Sequence, residues 1–285
     1  MISDSDINYL QDKAREVRIS IVEMLTLAGS GHTAGSLGMA DVFVTLYGKI
    51  LKQDPKNPFW PDRDRLILSN GHIAPVLYSI MAHFEYFPIS ELKTLRKFGS
   101  RLQGHPHREY LPGVETSSGP LGSGLSQAIG MCMADKLNFG EQKYFYCLMG
   151  DGEQNEGQVW EAVLFAAKEK LGNLICFIDR NYIQIDGNTE EVLPLDPLDK
   201  KYESFNWHVQ NIDGNNIKEI FDAVENAKRV LEKPSVIICK TIPGKGVKEF
   251  EYDFHWHGKA PNKEEEKMAL KELRNLGNYI ESHHN

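Results

Sequence analysis

The chain has 285 residues, 41% hydrophobic and 25% charged, enough for one large α/β domain or two small ones around a buried core. A formal net charge of −8 sets the mean surface against a phosphate backbone, so neither nucleic acid nor an anionic membrane is an expected partner. No apolar run approaches the roughly 20 residues that span a bilayer, and the opening MISDSDINYLQDK has no apolar signal core, which leads us to expect a cytoplasmic protein.

Along the chain, Ile7, Leu10, Ala14, Val17, Ile21, Leu25 and Ala28 recur at helical spacing and predict a helix over 5–28. After GSGHTAGS comes a second helical stretch near 38–51, and then a proline-marked loop, DPKNPFWPDRD. RLILS reads as a short strand and NGHIAPVLYSIMAHFEYF as a helix, followed by another helix near 89–98 and a long loop from Gly99 to Gly119. LGSGLSQAIGMCMADKL opens on glycines and turns helical. Beyond residue 187 the pattern is loop, a helix near 216–231, a buried strand SVIICKT, and a last helix near 262–282. Apolar runs alternating with helical stretches predict an α/β fold, a doubly wound, mostly parallel sheet flanked by helices. Cys132, Cys147, Cys176 and Cys239 are scattered singly, as reduced core residues would be, whereas a disulfide framework or zinc site needs close pairs.

The most informative stretch runs from YFYCLM (144–149) through GDGEQNEG to LICFID (174–179) and Asn181. Both runs are too continuously apolar to have a wet face, as in a covered parallel sheet. Between them Val159, Val163, Ala166 and Ala167 form one helix face, and Gly172 suits that helix's end. A right-handed βαβ unit puts Asp151 and Asn181 at one sheet edge, one or two strand spacings apart, roughly 5–10 Å. Gly150 and Gly152 let the backbone turn sharply and approach a ligand. Carboxylate, carboxamide and loop carbonyl oxygens suit Mg²⁺ or Ca²⁺ and not zinc, and a cation beside a helix amino terminus could anchor a diphosphate. Taken alone, GDG also reads as a turn and DRN as a polar strand end. Placed together on consecutive strands, they favour the cation.

GDGEQNEGQVWEAVLFAAKEKLGNLICFIDRN resembles the thiamine diphosphate signature. Its surroundings, SGHTAGSLGMADV, DRDRLILSNGH, GHPH, GVETSSGPLGSGLSQAIGMCMA, IDRNYIQIDG, WHV and HG, are similar to transketolase and run in that family's order from about residue 10 to about 260. The resemblance implies the thiamine diphosphate-binding fold over residues 1–260 and a carboxy-terminal helical tail over 261–285. It implies a metal site of Asp151, Asn181 and the Ile183 carbonyl, holding Mg²⁺ or, in its place, Ca²⁺ or Mn²⁺. Cofactor-binding positions carried over are His72, Gly119, Pro120, Leu121, Gly150, Asp151, Gly152, Glu153, Glu156, Asn181, Ile183, Ile185 and His257. His32, His72, His105 and His257 match the family's active-site histidines, and imidazoles titrating near neutrality suit the holding and proton exchange of sugar hydroxyls. His83, His107, His208, His255, His283 and His284 are expected to be ordinary loop or surface histidines, with His255 the one close to the set. Thr33 and Ser123 stand where the family has Pro and Gln, which bears on substrate preference.

A whole transketolase continues into pyrimidine-binding and carboxy-terminal domains, and this sequence stops near the family's linker. The resemblance therefore implies the amino-terminal subunit of a split transketolase, acting on sugar phosphates in carbohydrate metabolism of the pentose phosphate kind. Its carboxy-terminal partner would complete a heterotetramer of two copies of each chain. Other readings are a subunit of a 1-deoxyxylulose-5-phosphate synthase-like or 2-oxoacid dehydrogenase-like enzyme, or a non-catalytic homologue. A nicotinamide site is not expected, because no strand runs into G-x-G-x-x-G with an acid about 20 positions on.

Overall fold

The structure, a computed structural model, describes residues 1–138 and 143–275. In chain order its elements are α1 Asp4–Ala28, α2 Ala34–Gly38, α3 Ala40–Thr45, β1 Arg65–Leu68, α4 Ala74–His83, α5 Ser123–Leu137, β2 Phe145–Gly150, α6 Gly157–Lys168 and β3 Leu174–Arg180. A short antiparallel pair, β4 Ile183–Gln184 and β5 Gly187–Asn188, follows, and then α7 Thr189–Val192, α8 Leu198–Ser204, β6 His208–Asp213, α9 Ile217–Ala227, β7 Ser235–Lys240 and α10 Lys263–Asn275. His283, His284 and the end of the helix expected over 262–282 lie outside the described residues.

Five parallel strands form the main sheet in the order β1-β2-β3-β7-β6. Strand side chains alternate between faces. Tyr146, Leu148, Ile175, Phe177, Ile237 and Cys239 pack with α1, α3, α4, α9 and α10 on one side. Phe145, Cys147, Met149, Cys176, Ile178, Val236 and Ile238 pack with α5, α6 and α8 on the other. Burial on both faces explains why these strands read as unbroken apolar runs, each such side chain contributing about 1.5–3 kcal/mol. All four cysteines are buried and free.

Where local structure departs from the sequence pattern, tertiary packing supplies the reason. The helix expected over 38–51 is α2 and α3 followed by a π turn, Leu46–Ile50. Gly38 ends α2 where the chain beyond β7 presses in, since a Cβ there would stand 2.9 Å from the Ile242 carbonyl oxygen. The stretch near 89–98 is a 3-10 turn, Ile89–Thr94, after which Arg96 takes a left-handed φ of 59°. Gly172 does not cap α6. Lys170 carries the positive φ there, and Gly172 is needed because the Leu231 backbone lies where its side chain would be. Edge strand β6 was expected to be loop, and it is half-buried or exposed throughout, with no apolar run to signal it.

Candidate active site at the carboxyl edge of the sheet

Parallel strands bring their carboxyl ends to one edge. The register pairs Gly150 with Asp179, so Asp151 and Asn181 follow adjacent strands, one spacing of about 4.8 Å apart. Asp151 is 2% exposed. Its Oδ1 accepts from the Gly152 N–H at 2.8 Å, and its Oδ2 accepts from the Tyr182 N–H at 2.8 Å and from Arg180 Nη1 at 3.2 Å. A carboxylate offers about four lone-pair sites, so one remains. Asn181 Nδ2 donates to Asp179 Oδ2 at 2.8 Å, and its Oδ1 accepts from the Ile183 N–H at 3.0 Å, which leaves Oδ1 one lone pair. The second oxygen of Asp179 accepts from the Thr241 hydroxyl.

Burial raises Asp151 to about 6 against the pull of Arg180 and the two backbone N–H groups. Burial also raises Asp179 to about 7, opposed by Thr241 and Asn181 and reinforced by Asp151. A divalent cation on the spare oxygens supplies the positive charge that would hold Asp151 ionised, so the donor set fits a hard metal. Among the described residues no group of three His, Cys, Asp or Glu side chains could hold a metal. Asp151 and Asn181 would therefore need a ligand's own oxygens to complete a coordination shell.

A second device ties the walls of the cleft together. Glu153, 2% exposed, accepts from the Ser69 hydroxyl, from the Gly122 N–H at 2.6 Å and from the Gly150 N–H at 3.0 Å. Ser69 Oγ in turn accepts from the Gly124 N–H at 3.1 Å. The end of β1, the Gly119–Gly122 loop leading into α5, and the turn after β2 are thus held by one carboxylate. Its oxygens are turned to protein donors, while Pro120, Glu156 and Ile185 stand exposed at the rim.

Three unspent polar groups lie beside the turn glycines. Asn70 stands near Gly150, Ser118 against Gly71, and Gln184 near Gly152. Asn70 Nδ2 and Oδ1, Ser118 Oγ and Gln184 Nε2 are buried without hydrogen-bond partners. Such atoms persist where a ligand or water uses them, and polar groups beside backbone that can approach closely are what a diphosphate requires.

The Gly-His loops converge on the same edge. Ring centroids of His32 and His72 are 5.0 Å apart, those of His72 and His257 5.3 Å, and those of His32 and His257 5.6 Å. His105 joins at the rim, near Gly119. Burial holds His32 down to about 4, aided by His257, Arg96 and His105. Burial likewise lowers His72, with His257, His32 and His105 adding to it, and lowers His257. His105 is lowered by burial and then by Arg96. Each of the four is shifted toward the neutral imidazole, the form with one nitrogen able to accept a proton. Arg96 lies over Gly104 and donates to Ser30 Oγ at 3.4 Å, touching two of the Gly-His loops.

Sequence reasoning did not single out Ser69, Asn70, Gln184 or Arg96. Ser69 and Asn70 lie within DRDRLILSNGH and Gln184 within IDRNYIQIDG, where burial of a hydroxyl and of two amides was the missing signal. The remaining described histidines stand apart from the trio. His83 meets Ser20 and Glu16, His107 stacks on Tyr110, His208 meets Ser235, and His255 pairs with Asp253 at 2.7 Å and stacks on Phe254.

Residues 10–279 match the family described as Transketolase, thiamine diphosphate binding domain. The chain is 44% identical over 268 residues to a 6-deoxy-6-sulfo-D-fructose transketolase subunit of Clostridium sp. (strain MSTE9), covering 94% of this chain and 97% of that one. It is 40% identical over 266 residues to an apulose-4-phosphate transketolase subunit of Actinobacillus succinogenes, covering 93% and 96%. The solved transketolase of Leishmania mexicana superposes with a TM-score of 0.89 at 30% identity, over 93% of this chain and 41% of that one.

Proposed function

This chain belongs to the transketolase thiamine diphosphate binding domain family, and from that premise we propose that it is the diphosphate-holding subunit of a two-chain transketolase. The enzyme moves a two-carbon ketol unit from a ketose phosphate to an aldose phosphate and is completed by a carboxy-terminal subunit. Support for a divided enzyme comes from subunit relatives matched over nearly their whole length, beside a transketolase of which this chain spans 41%. In this reading residues 1–260 are the diphosphate-binding domain. The tail expected over 261–285 is described as far as Asn275, and there α10 buries Ala269 and Leu273 in the core shared with α1. Assembly is a heterotetramer of two copies of each chain in the cytoplasm.

One observation carries the reading: two oxygen donors with spare lone pairs and a group of neutral imidazoles share one sheet edge. Bound thiamine diphosphate supplies the chemistry of breaking and making a carbon–carbon bond beside a carbonyl. Asp151, Asn181 and the Ile183 carbonyl hold Mg²⁺, with Ca²⁺ or Mn²⁺ as substitutes, and Gly119, Pro120, Leu121, Gly150 and Gly152 let the backbone close on the diphosphate. Glu153 fixes that loop against the turn, and Glu156 and Ile185 meet the cofactor from the open side. His72 and His257 touch both cofactor and sugar. With His32 and His105 they orient the sugar hydroxyls and exchange protons with them, work for which neutral rings in a partly buried cleft are suited. The acceptor and donor are sugars with an acidic terminus, by analogy with the apulose 4-phosphate and sulfofructose in the relatives' names.

The test is product analysis with the assembled complex, Mg²⁺ and thiamine diphosphate, offered ketose and aldose phosphates in parallel with pyruvate. Two-carbon transfer to the aldose is the expected result. Decarboxylation of pyruvate with no ketol transfer would overturn the assignment.

A further inference from the structure

We infer that Asn70 is a further cofactor-anchoring residue, whose buried amide donates to the diphosphate held at the Asp151 edge. The inference rests on the site reading above and extends it to a residue outside the metal set. Asn70 lies two residues past the end of β1, and its exposure is 0%. Its backbone is fixed on both sides. The N–H donates to the Leu148 carbonyl at 3.4 Å, and the carbonyl accepts from the Ile73 N–H at 3.1 Å. Neither end of its carboxamide has a partner.

A buried amide that loses its water and gains no hydrogen bond is a net cost to the fold. Ser118 Oγ and Gln184 Nε2 are unspent as well, but three neighbouring polar side chains at this edge are engaged: Ser69 bonds Glu153, Asn181 bonds Asp179, and Thr241 bonds Asp179. Asn70 alone of these four has both polar ends unspent, and apolar residues of its size would fill the place without that cost. The root of its side chain is 3.9 Å from where a Cβ on Gly150 would stand. That puts the amide beside the glycine turn that leads to Asp151, where the anionic part of the ligand is held. An amide N–H toward an anionic oxygen is a charge-assisted hydrogen bond, among the stronger kinds.

The experiment compares wild type with Asn70→Ala and Asn70→Asp in two measurements. Denaturation of the full chain without cofactor reads the folding cost. Calorimetry of the assembled complex with Mg²⁺ reads affinity for thiamine diphosphate and, separately, for inorganic pyrophosphate. Asn70→Ala is expected to leave the cofactor-free chain as stable as wild type or more so, and to weaken both ligands roughly 10- to 100-fold, as loss of a hydrogen bond to a charged group does. Asn70→Asp, which places a negative charge against the diphosphate, is expected to weaken them at least as much. Pyrophosphate affinity unchanged in Asn70→Ala overturns the diphosphate contact, even if the whole cofactor binds more weakly. A less stable cofactor-free chain with normal affinities makes Asn70 a structural residue and overturns the proposal alone. Failure of the wild-type complex to bind thiamine diphosphate overturns the site reading and the proposal with it.

Discussion

Replacing Asp151 by alanine would remove two things at once, a spare oxygen for a cation and the partner of Arg180 and the Tyr182 N–H. The sequence places this residue in a surface cleft, where its loss would leave the core untouched, yet the side chain is buried and paired. Asparagine is therefore the cleaner probe, keeping a polar side chain of the same shape. Asp151→Asn is expected to abolish Mg²⁺-dependent binding of thiamine diphosphate in the assembled complex, and calorimetry showing unchanged affinity would sink the metal assignment. His105→Ala and His257→Ala are each expected to lower turnover about 10²-fold, in the range for lost acid–base groups, with cofactor affinity little changed for His105→Ala and weakened for His257→Ala, whose side chain is assigned to the cofactor as well. Turnover near wild type in both would remove them from the proton-exchanging set.

His32 gives the pH dependence. Its ordinary value is 6.5, and the folded chain holds it at about 4, by burial first. An unfolded chain thus takes up the proton at higher pH, so this contribution to stability is complete above about pH 6.5 and is lost as pH falls through 4. Denaturation midpoints from pH 7 to pH 4 should fall more steeply for wild type than for His32→Asn, and parallel curves would show that His32 is not held neutral. These histidines were legible because each sits beside a glycine in a quoted motif. Asn70 sits beside Gly71 in the same motif as His72, yet its role and that of Arg96 were not legible, because an unpartnered amide and a cation laid over a glycine exist only once distant loops meet.

At the scale of elements, the apolar face of α1 contains a charge. Arg18 lies between Val17 and Ile21 in the buried stripe. It donates through Nε to the Leu37 carbonyl at 3.0 Å and through Nη2 to Asp41 Oδ2 at 2.6 Å. Asn215 Nδ2 donates to Asp41 Oδ2 at 2.8 Å, and its Oδ1 accepts from the Ile242 N–H at 2.9 Å. One network thus joins α1, α2, α3, the turn before α9 and the chain beyond β7. That last segment leads on to His257, so the histidine trio depends on the position of these elements. Arg18→Met takes from buried Asp41 its paired guanidinium and leaves the buried Lys245 ammonium as the nearby cation, and it is expected to cost up to about 3–5 kcal/mol, the usual result of breaking a buried pair from one side. Urea denaturation of the full chain measures it, and a loss below about 1 kcal/mol would mean that Asp41 is relieved by Lys245 or by water. Helical spacing found α1 without finding this role. Periodicity tells which way a position points and is silent on what a charge there will meet. Strands β2, β3 and β7 were legible from apolar runs, and β6 was not, because HVQNID at a sheet edge has no fully buried face.

At the scale of the whole molecule, the described residues leave unspent polar atoms in the cleft and apolar side chains exposed beyond β3 and on α6. Ile185 and Leu193, beyond β3, are 68% and 53% exposed. On α6 the buried stripe is Val159, Ala162, Val163 and Ala166, while Leu164 and Phe165 stand 59% and 45% exposed. In sequence those two are indistinguishable from core residues of the same helix. The doubly wound fold was therefore legible from pattern, and the need for a partner came through the family resemblance. Water in an open cleft weakens each charge interaction the site depends on and competes for the unspent donors. A covering partner would exclude that water. The chain alone is accordingly expected to show no ketol transfer, and activity should appear on mixing with its carboxy-terminal partner, Mg²⁺ and thiamine diphosphate. Closed two-fold assembly would put two copies of each chain in the active particle. Light scattering alongside the ketol-transfer assay measures both, and full activity from this chain alone would overturn the divided-enzyme reading, whereas an active one-to-one particle would overturn the stoichiometry.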